Sequence, residues 1–265
     1  MAFGVVAIDA APGQFSCPVA QRWCSAKDMF GGATFGTVLE ALELATGQTL
    51  LSAAIQFVQT AQFDMATLTA TDLNIRTTTP AVGKLVTQAR AEAWQGDTFI
   101  CSVGATLQAN PEQLRADMPM PAAPAVEACP PRTFQRLIPG SFAYTLDVRH
   151  AGVQRKRCLL WARWPGGAGM PLTSGILAIF ADHPPYGIGL VESPDCYGLT
   201  FDSTLHIAAP LQGLEGNEWI LLDLDFDALG ERIAHCTTRM WSSQGQFLGI
   251  GAQTLRVRHW PAAQK

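Results

Sequence analysis

Residues 94–107 read WQGDTFICSVGATL, and residues 241–255 read WSSQGQFLGIGAQTL. In each stretch a turn with a glycine separates two mostly apolar runs, and a Gly-Ala pair follows near the end. The second stretch comes about one domain length after the first, which predicts two copies of one fold unit. Only the second copy carries Gln253. Aligning the Gly-Ala pairs puts Thr106 at the position of Gln253, and aligning the turn glycines puts Gly104 there, so we expect a single functional site.

The composition is that of a globular protein. Of 265 residues, 48% are apolar and 15% charged, which excludes a chain that is disordered throughout. The net charge of −4 gives no electrostatic support to nucleic-acid binding. No apolar stretch is long enough to span a bilayer, and the first residues lack the basic segment of a secretion signal. Seven cysteines without a close CxxC pair predict reduced thiols in a cytoplasmic protein, with no metal site and no cofactor.

The first unit is predicted to be one helix followed by antiparallel strands. Apolar residues at helical spacing run from Phe35 to Ala45, and Gly47 is well placed to end that helix. The strand-like runs that follow cover residues 50–58, 65–76, 84–94 and 99–107. We therefore assign residues 1–108 to an N-terminal domain.

The second unit repeats this order after a change in composition. Residues 109–133 are rich in proline and alanine and are predicted to form an extended linker. Residues 134–265 would form the C-terminal domain, with a short helix over 174–181 that ends before Pro184 and Pro185. Its strand-like runs cover residues 158–164, 199–207, 219–225, 232–241 and 247–258. A helix cradled by an antiparallel sheet, present twice, predicts an α+β protein of the double hotdog type.

Short motifs along the chain resemble the acyl-CoA thioesterase II family. They are Phe30-Gly31-Gly32 before the first helix, residues 52–57, the Pro-rich connection, residues 218–222, and residues 245–253. The resemblance extends from about Trp23 to Arg258. It implies hydrolysis of fatty acyl-CoA thioesters by an Asp, a Thr or Ser, and a Gln, all in the second hotdog.

The resemblance also implies which residues form the site. Asp202 would be the general base and Gln253 would hold the attacking water, without a covalent intermediate. Counting without gaps places Asp227 where the family has Thr or Ser, which is a departure from its pattern. The segment Phe30-Gly31-Gly32 would let substrate approach a helix N-terminus, and His183 is a further candidate for substrate binding.

Strand alternation supports these candidates unequally. Gln253 lies on a largely apolar face with Leu255, where an unpaired amide costs about 1–3 kcal/mol, so a site is favoured over a satisfied core amide. Asp202 alternates with the apolar residues of its own strand, which leaves an exposed position open. Asp227 belongs to an acidic alternating face typical of solvated strands. If Asp227 approached Asp202, repulsion between the two charges would raise the pKa of one of them.

These patterns predict a thioester hydrolase of fatty acid metabolism that acts on acyl-CoA. A homodimer or a higher homo-oligomer fits the edge-to-edge pairing of hotdog sheets. A non-catalytic acyl-ligand binder that has lost the family's Thr or Ser is the main alternative. A hotdog hydratase or dehydratase is a third, although no His/Asp pair marks the helix region. Release of thiol from a panel of acyl-CoA substrates separates the enzyme from the binder.

Overall fold

The computed structural model describes residues 2–9, 11–109, 118–133 and 140–260. The helices of the described residues are α1 (Gly31–Thr46), α2 (Phe142–Thr145), α3 (Ser174–Ala181) and α4 (Pro184–Val191). The strands that precede the Pro-rich segment are β1 (Val6–Ala7), β2 (Gln14–Pro18), β3 (Cys24–Ser25), β4 (Asp28–Met29), β5 (Thr49–Phe57), β6 (Asp72–Val82), β7 (Thr87–Gln95) and β8 (Thr98–Gln108). The strands that follow it are β9 (Asp147–Gln154), β10 (Arg157–Arg163), β11 (Cys196–Ile207), β12 (Ile220–Leu229), β13 (Ile233–Ser242) and β14 (Phe247–His259).

One long antiparallel sheet joins the two halves of the chain. Its strand order is β1-β2-β6-β7-β8-β5-β11-β14-β13-β12-β10-β9. Strands of the first half occupy one side, strands of the second half the other, and β5 pairs with β11 at the centre. Each half also supplies a helix, α1 or α3, that packs against the strands of its own half. The predicted double hotdog is confirmed.

The helices α1 and α3 pack against each other along their small residues. An added Cβ at Gly36 would come within 2.5 Å of the Gly175 carbonyl oxygen, and one at Gly175 within 3.0 Å of the Gly36 oxygen. Glycines therefore allow the two backbones to approach. Gly47 ends α1 in the left-handed conformation, with φ of 63°, as the sequence predicts.

The helix predicted over residues 174–181 is α3 and has the predicted bounds, and Pro184 and Pro185 begin a further helix, α4. They occupy the first turn of α4, where proline loses no helical hydrogen bond. Asp182 and His183 therefore lie at the break between two helices. In the first half, the strand predicted over residues 65–76 is wrong in its bounds, because residues 65–71 form mostly turns and β6 begins only at Asp72.

The Pro-rich segment packs on the outer face of the second half. The indole N–H of Trp161 donates to the Pro124 carbonyl, and that of Trp241 to the Met118 carbonyl, both at 3.0 Å. These bonds hold the described part of the segment, 118–133, against the sheet. All seven cysteines of the chain are free and buried. Within the described ranges, no helix is both long and apolar enough to cross a membrane.

Candidate functional site

Asp182 receives hydrogen bonds from three parts of the fold. Its side chain follows the last turn of α3, where the residue is only 3% exposed. Oδ2 accepts the backbone N–H of Gly32 at 2.5 Å, and Oδ1 accepts the Thr200 hydroxyl at 2.9 Å and the Gln253 Nε2 amide at 2.6 Å. A carboxylate, a hydroxyl and a carboxamide thus meet at the N-terminus of α1. We call Asp182, Thr200 and Gln253 the polar triad.

Opposing effects set the charge state of the Asp182 carboxyl. Complete burial raises its pKa from 3.8 to about 6, because removal from water penalises the charged form. The hydrogen bonds from Gln253, Thr200 and Gly32 favour the carboxylate and limit this rise. The N-terminus of α1 adds a positive potential. A carboxyl group with such a pKa accepts protons efficiently near neutral pH.

The two glycines that begin α1 allow this contact. An added Cβ at Gly31 would lie 2.7 Å from the Asp182 Oδ2 atom. One at Gly32 would lie 2.7 Å from the Ala178 carbonyl oxygen and 2.8 Å from the Asp182 Cβ. The sequence predicts that substrate approaches these two residues, and in the structure the group that lies against them is a carboxylate of the chain itself.

One of the two polar atoms of the Gln253 carboxamide makes no hydrogen bond to the described residues. Its Nε2 donates to Asp182 and also reaches the Ser203 hydroxyl at 3.3 Å, so the amide orientation is fixed by acceptors. Its Oε1 is buried and has no hydrogen-bond partner among the described residues. A buried carbonyl oxygen without a hydrogen-bond donor costs free energy, so we expect a water molecule or a substrate group to bind next to it.

A β-bulge in β11 brings Thr200 to the polar triad. Thr200 pairs with Leu255 and Asp202 pairs with Thr254, so Phe201 is an extra residue in β11. The bulge reverses the alternation of side chains. Thr200 and Ser203 therefore share the inner face although they are three positions apart, and Phe201 is 43% exposed.

The same bulge explains why Asp202 is not with Gln253. Asp202 lies opposite Thr254, whose neighbour Gln253 points to the other side of the sheet. Its Oδ1 accepts the backbone N–H of Thr254 at 3.1 Å. The expected pairing of Asp202 with Gln253 in one site is corrected by this geometry: the carboxylate beside Gln253 is Asp182.

Asp227 also lies away from the polar triad. It is exposed, and its Oδ2 accepts the Thr237 hydroxyl at 2.7 Å on the outer face of the sheet. The hydroxyl beside Asp182 and Gln253 belongs to Thr200, so the ungapped count that placed Asp227 at this position is wrong. The loss of a hydroxyl from the site, which that count implied, is corrected as well.

His183 and Phe30 lie next to this arrangement. The Nδ1 atom of His183 is 3.1 Å from the carbonyl oxygens of Ile179 and Phe180, so it carries the proton. Burial, reinforced by the charge of Arg132, lowers the pKa of His183 to about 3 and keeps the ring neutral. Phe30 meets the His183 ring edge-on, with centroids 6.3 Å apart. Binding of substrate by His183, Phe30, Gly31 and Gly32 stays a prediction.

One sequence signal points to Asp182. It directly follows a helix that is apolar after its first residue, Ser174, and comes shortly before two prolines, so it is expected at a buried helix end. Thr200 carries no comparable signal, because nothing in the local sequence specifies a bulge at Phe201.

Solved structures with the same architecture cover nearly the whole chain. A thioesterase candidate from Novosphingobium aromaticivorans is 24% identical with a TM-score of 0.82, over 95% of this chain and 97% of that one. A hot dog fold protein of unknown function from Alicyclobacillus acidocaldarius is 17% identical with a TM-score of 0.81, over 97% of both chains. An acyl-CoA thioesterase II from Mycobacterium marinum is 18% identical with a TM-score of 0.72, over 98% of this chain and 97% of that one. These likenesses establish the fold.

Sequence comparison gives the family. No curated protein matches the chain in sequence. Residues 111–257 match the family described as acyl-CoA thioesterase C-terminal domain. This match covers more than half of the chain and includes Asp182, Thr200 and Gln253. The chain belongs to the acyl-CoA thioesterase family that this C-terminal domain defines.

Proposed function

We propose that this protein hydrolyses an acyl-CoA thioester to a carboxylate and free coenzyme A by direct attack of water at the polar triad. One observation carries the proposal: the buried Asp182 carboxylate is hydrogen-bonded to Gln253, whose own amide oxygen is buried and has no partner among the described residues. Together they can hold a water molecule and take its proton. The family of the chain supplies the class of substrate.

Asp182 would act as the general base. The water oxygen attacks the thioester carbonyl carbon while one of its protons passes to the Asp182 carboxylate. The tetrahedral intermediate then collapses, the carbon–sulfur bond breaks, and the thiolate of coenzyme A leaves and is protonated. Asp182 returns its proton to solvent, so no group of the protein changes covalently.

Gln253 would orient the water, and Thr200 would orient the base. The free Oε1 of Gln253 can accept a hydrogen bond from the water, and this bond directs a lone pair of the water oxygen at the substrate. The Thr200 hydroxyl fixes the Asp182 carboxylate by its 2.9 Å bond and is a positioning residue. The N-terminus of α1 favours the negative charge that develops on the carbonyl oxygen.

We expect Gln253→Ala to lower the kcat for acyl-CoA hydrolysis by about 10²–10³-fold, the typical loss when one oriented polar group is removed. Thiol release from a panel of acyl-CoA substrates of different chain length measures it. Gln244→Ala, in the exposed turn of the same hairpin, is the matched control and should keep the wild-type rate. If the wild-type protein binds acyl-CoA of every length and releases no thiol, the protein is a binder and the proposal fails.

The pH profile provides an independent readout of the base. Asp182 acts as a carboxylate, and its pKa is raised to about 6, so kcat/KM should rise with pH, with its midpoint at about pH 6, and then level off. Gln253→Ala removes a hydrogen bond that lowers this pKa, so the residual activity should have its midpoint at higher pH. Rates measured between pH 4.5 and 8.5 test both expectations. A profile without this rise, or an unchanged midpoint in Gln253→Ala, would exclude Asp182 as the base.

A further inference from the structure

The two halves of the molecule are related by an approximate twofold axis. The strand order reads equivalently from either end, with β5 matching β11 and β8 matching β14. The axis passes between Gly36 and Gly175, where α1 and α3 come closest. Each residue of the polar triad therefore has a counterpart in the first half.

Glu43 is the counterpart of Asp182. It follows Gly36 by seven residues, as Asp182 follows Gly175 by seven. Asp182 bonds to the start of α1, and Glu43 bonds to the start of α3, where the Ser174 hydroxyl donates to its Oε2 at 2.9 Å. Its Oε1 accepts the Leu50 backbone N–H at 2.9 Å, on β5. Both carboxylates thus link the opposite helix to the central strand of their own half.

The other two members of the polar triad have apolar counterparts. β5 has a register shift between Leu50 and Ser52, as β11 has between Thr200 and Asp202, so Leu50 matches Thr200. Ala53 pairs with Ala105 where Ser203 pairs with Gln253, so Ala105 matches Gln253. The alignments that placed Thr106 or Gly104 opposite Gln253 are each one residue off. The second location keeps a carboxylate and lacks the amide, and its hydroxyl comes from Ser174 on the opposite helix instead of from the strand.

A cavity of about 200 Å³ lies at this second location. Its lining includes the polar Glu43 and Ser174, which are bonded to each other, and the apolar Leu50, Leu172, Ile207 and Leu211. It is smaller than the roughly 300–1,000 Å³ of pockets for drug-sized ligands, so it fits a short aliphatic chain and excludes a nucleotide. Burial raises the pKa of Glu43, and the hydrogen bonds from Leu50 and Ser174 oppose this rise.

We propose that this cavity is a second acyl-binding site, which holds the short acyl group of an acyl-CoA without hydrolysing it. The inference rests on the proposed function for the class of ligand. The apolar walls take the chain, and the thioester end lies near Ser174 and Glu43. Hydrolysis does not follow, because Ala105, the counterpart of Gln253, offers no group to hold a water.

The stoichiometry of binding tests the proposal. S-hexyl-coenzyme A is a thioether that cannot be hydrolysed, and titration calorimetry on the full chain should give two sites for each chain. Ala209→Phe fills the cavity and should leave one site, whereas Ala66→Phe, on an exposed turn, should leave two. Leu211→Lys, which places a charge in the half-buried wall, is a second cavity variant in case Ala209→Phe does not fold.

The outcomes separate this inference from the proposed function. If the wild-type protein hydrolyses acyl-CoA but binds only one S-hexyl-coenzyme A for each chain, the second site is refuted and the proposed function stands. Two sites that persist in a folded Ala209→Phe or Leu211→Lys variant also overturn it, since the cavity is then not one of them. Absence of thiol release from every acyl-CoA overturns the proposed function, whatever the stoichiometry.

Discussion

Asp182→Asn is expected to lower the kcat for acyl-CoA hydrolysis by about 10²–10⁴-fold, the range for loss of a general base. Asparagine keeps the shape of the side chain but cannot take a proton from water. It also replaces an acceptor by a donor where Gly32, Thr200 and Gln253 all donate, so at least one buried group loses its partner at a cost of about 1–3 kcal/mol. Thiol release measures the first effect, and the free energy of unfolding measures the second.

The matched controls are Asp202→Asn and Asp227→Asn. Both carboxylates lie on the outer face of the sheet and bond only locally, to Thr254 and Thr237. We expect each variant to keep its kcat within about twofold, as surface substitutions away from a site change little. A large loss in Asp202→Asn with an active Asp182→Asn would move the site to the outer face and refute the polar triad.

Gly32→Ala is expected to damage both stability and activity. The added Cβ would lie 2.7 Å from the Ala178 oxygen and 2.8 Å from the Ile179 Cα, and these backbone atoms cannot move aside without separating α1 from α3. Overpacking of this kind costs about 1–3 kcal/mol, which corresponds to a fall in Tm of roughly 2–12 °C for a chain of this size. Separation of the helices also withdraws the Gly32 N–H from Asp182, so kcat should fall.

The control for this variant is Gly104→Ala. Gly104 lies in a strand, and an added Cβ there meets nothing within 4 Å. Thermal unfolding and thiol release on both variants make the comparison. Equal Tm values for Gly32→Ala and Gly104→Ala would show that close helix packing at Gly32 is not required.

Local sequence predicts the elements of the fold and one residue of the site, but it does not predict which side chains meet there. The repeat around Gly96 and Gly245 predicts a duplicated fold, Gly47 predicts the end of the first helix, and the apolar run 175–181 predicts the second. Gln253 could be selected because an amide on an apolar strand face requires a partner. Its partner could not be identified in this way, since Asp182 is 71 residues away and lies on another element.

From local sequence one can predict a duplicated hotdog and see that Gln253 distinguishes the second copy from the first. Periodicity and turn residues are local properties, and they specify elements and their repetition. Which carboxylate and hydroxyl join Gln253 depends on contacts between distant parts of the chain. The bulge at Phe201 turns Thr200 inward and Asp202 outward, and the close contact of α1 with α3 brings Asp182 to Gly32. The bulge and the helix contact depend on how segments distant in the chain pair and pack, and counting residues along one strand does not reveal this.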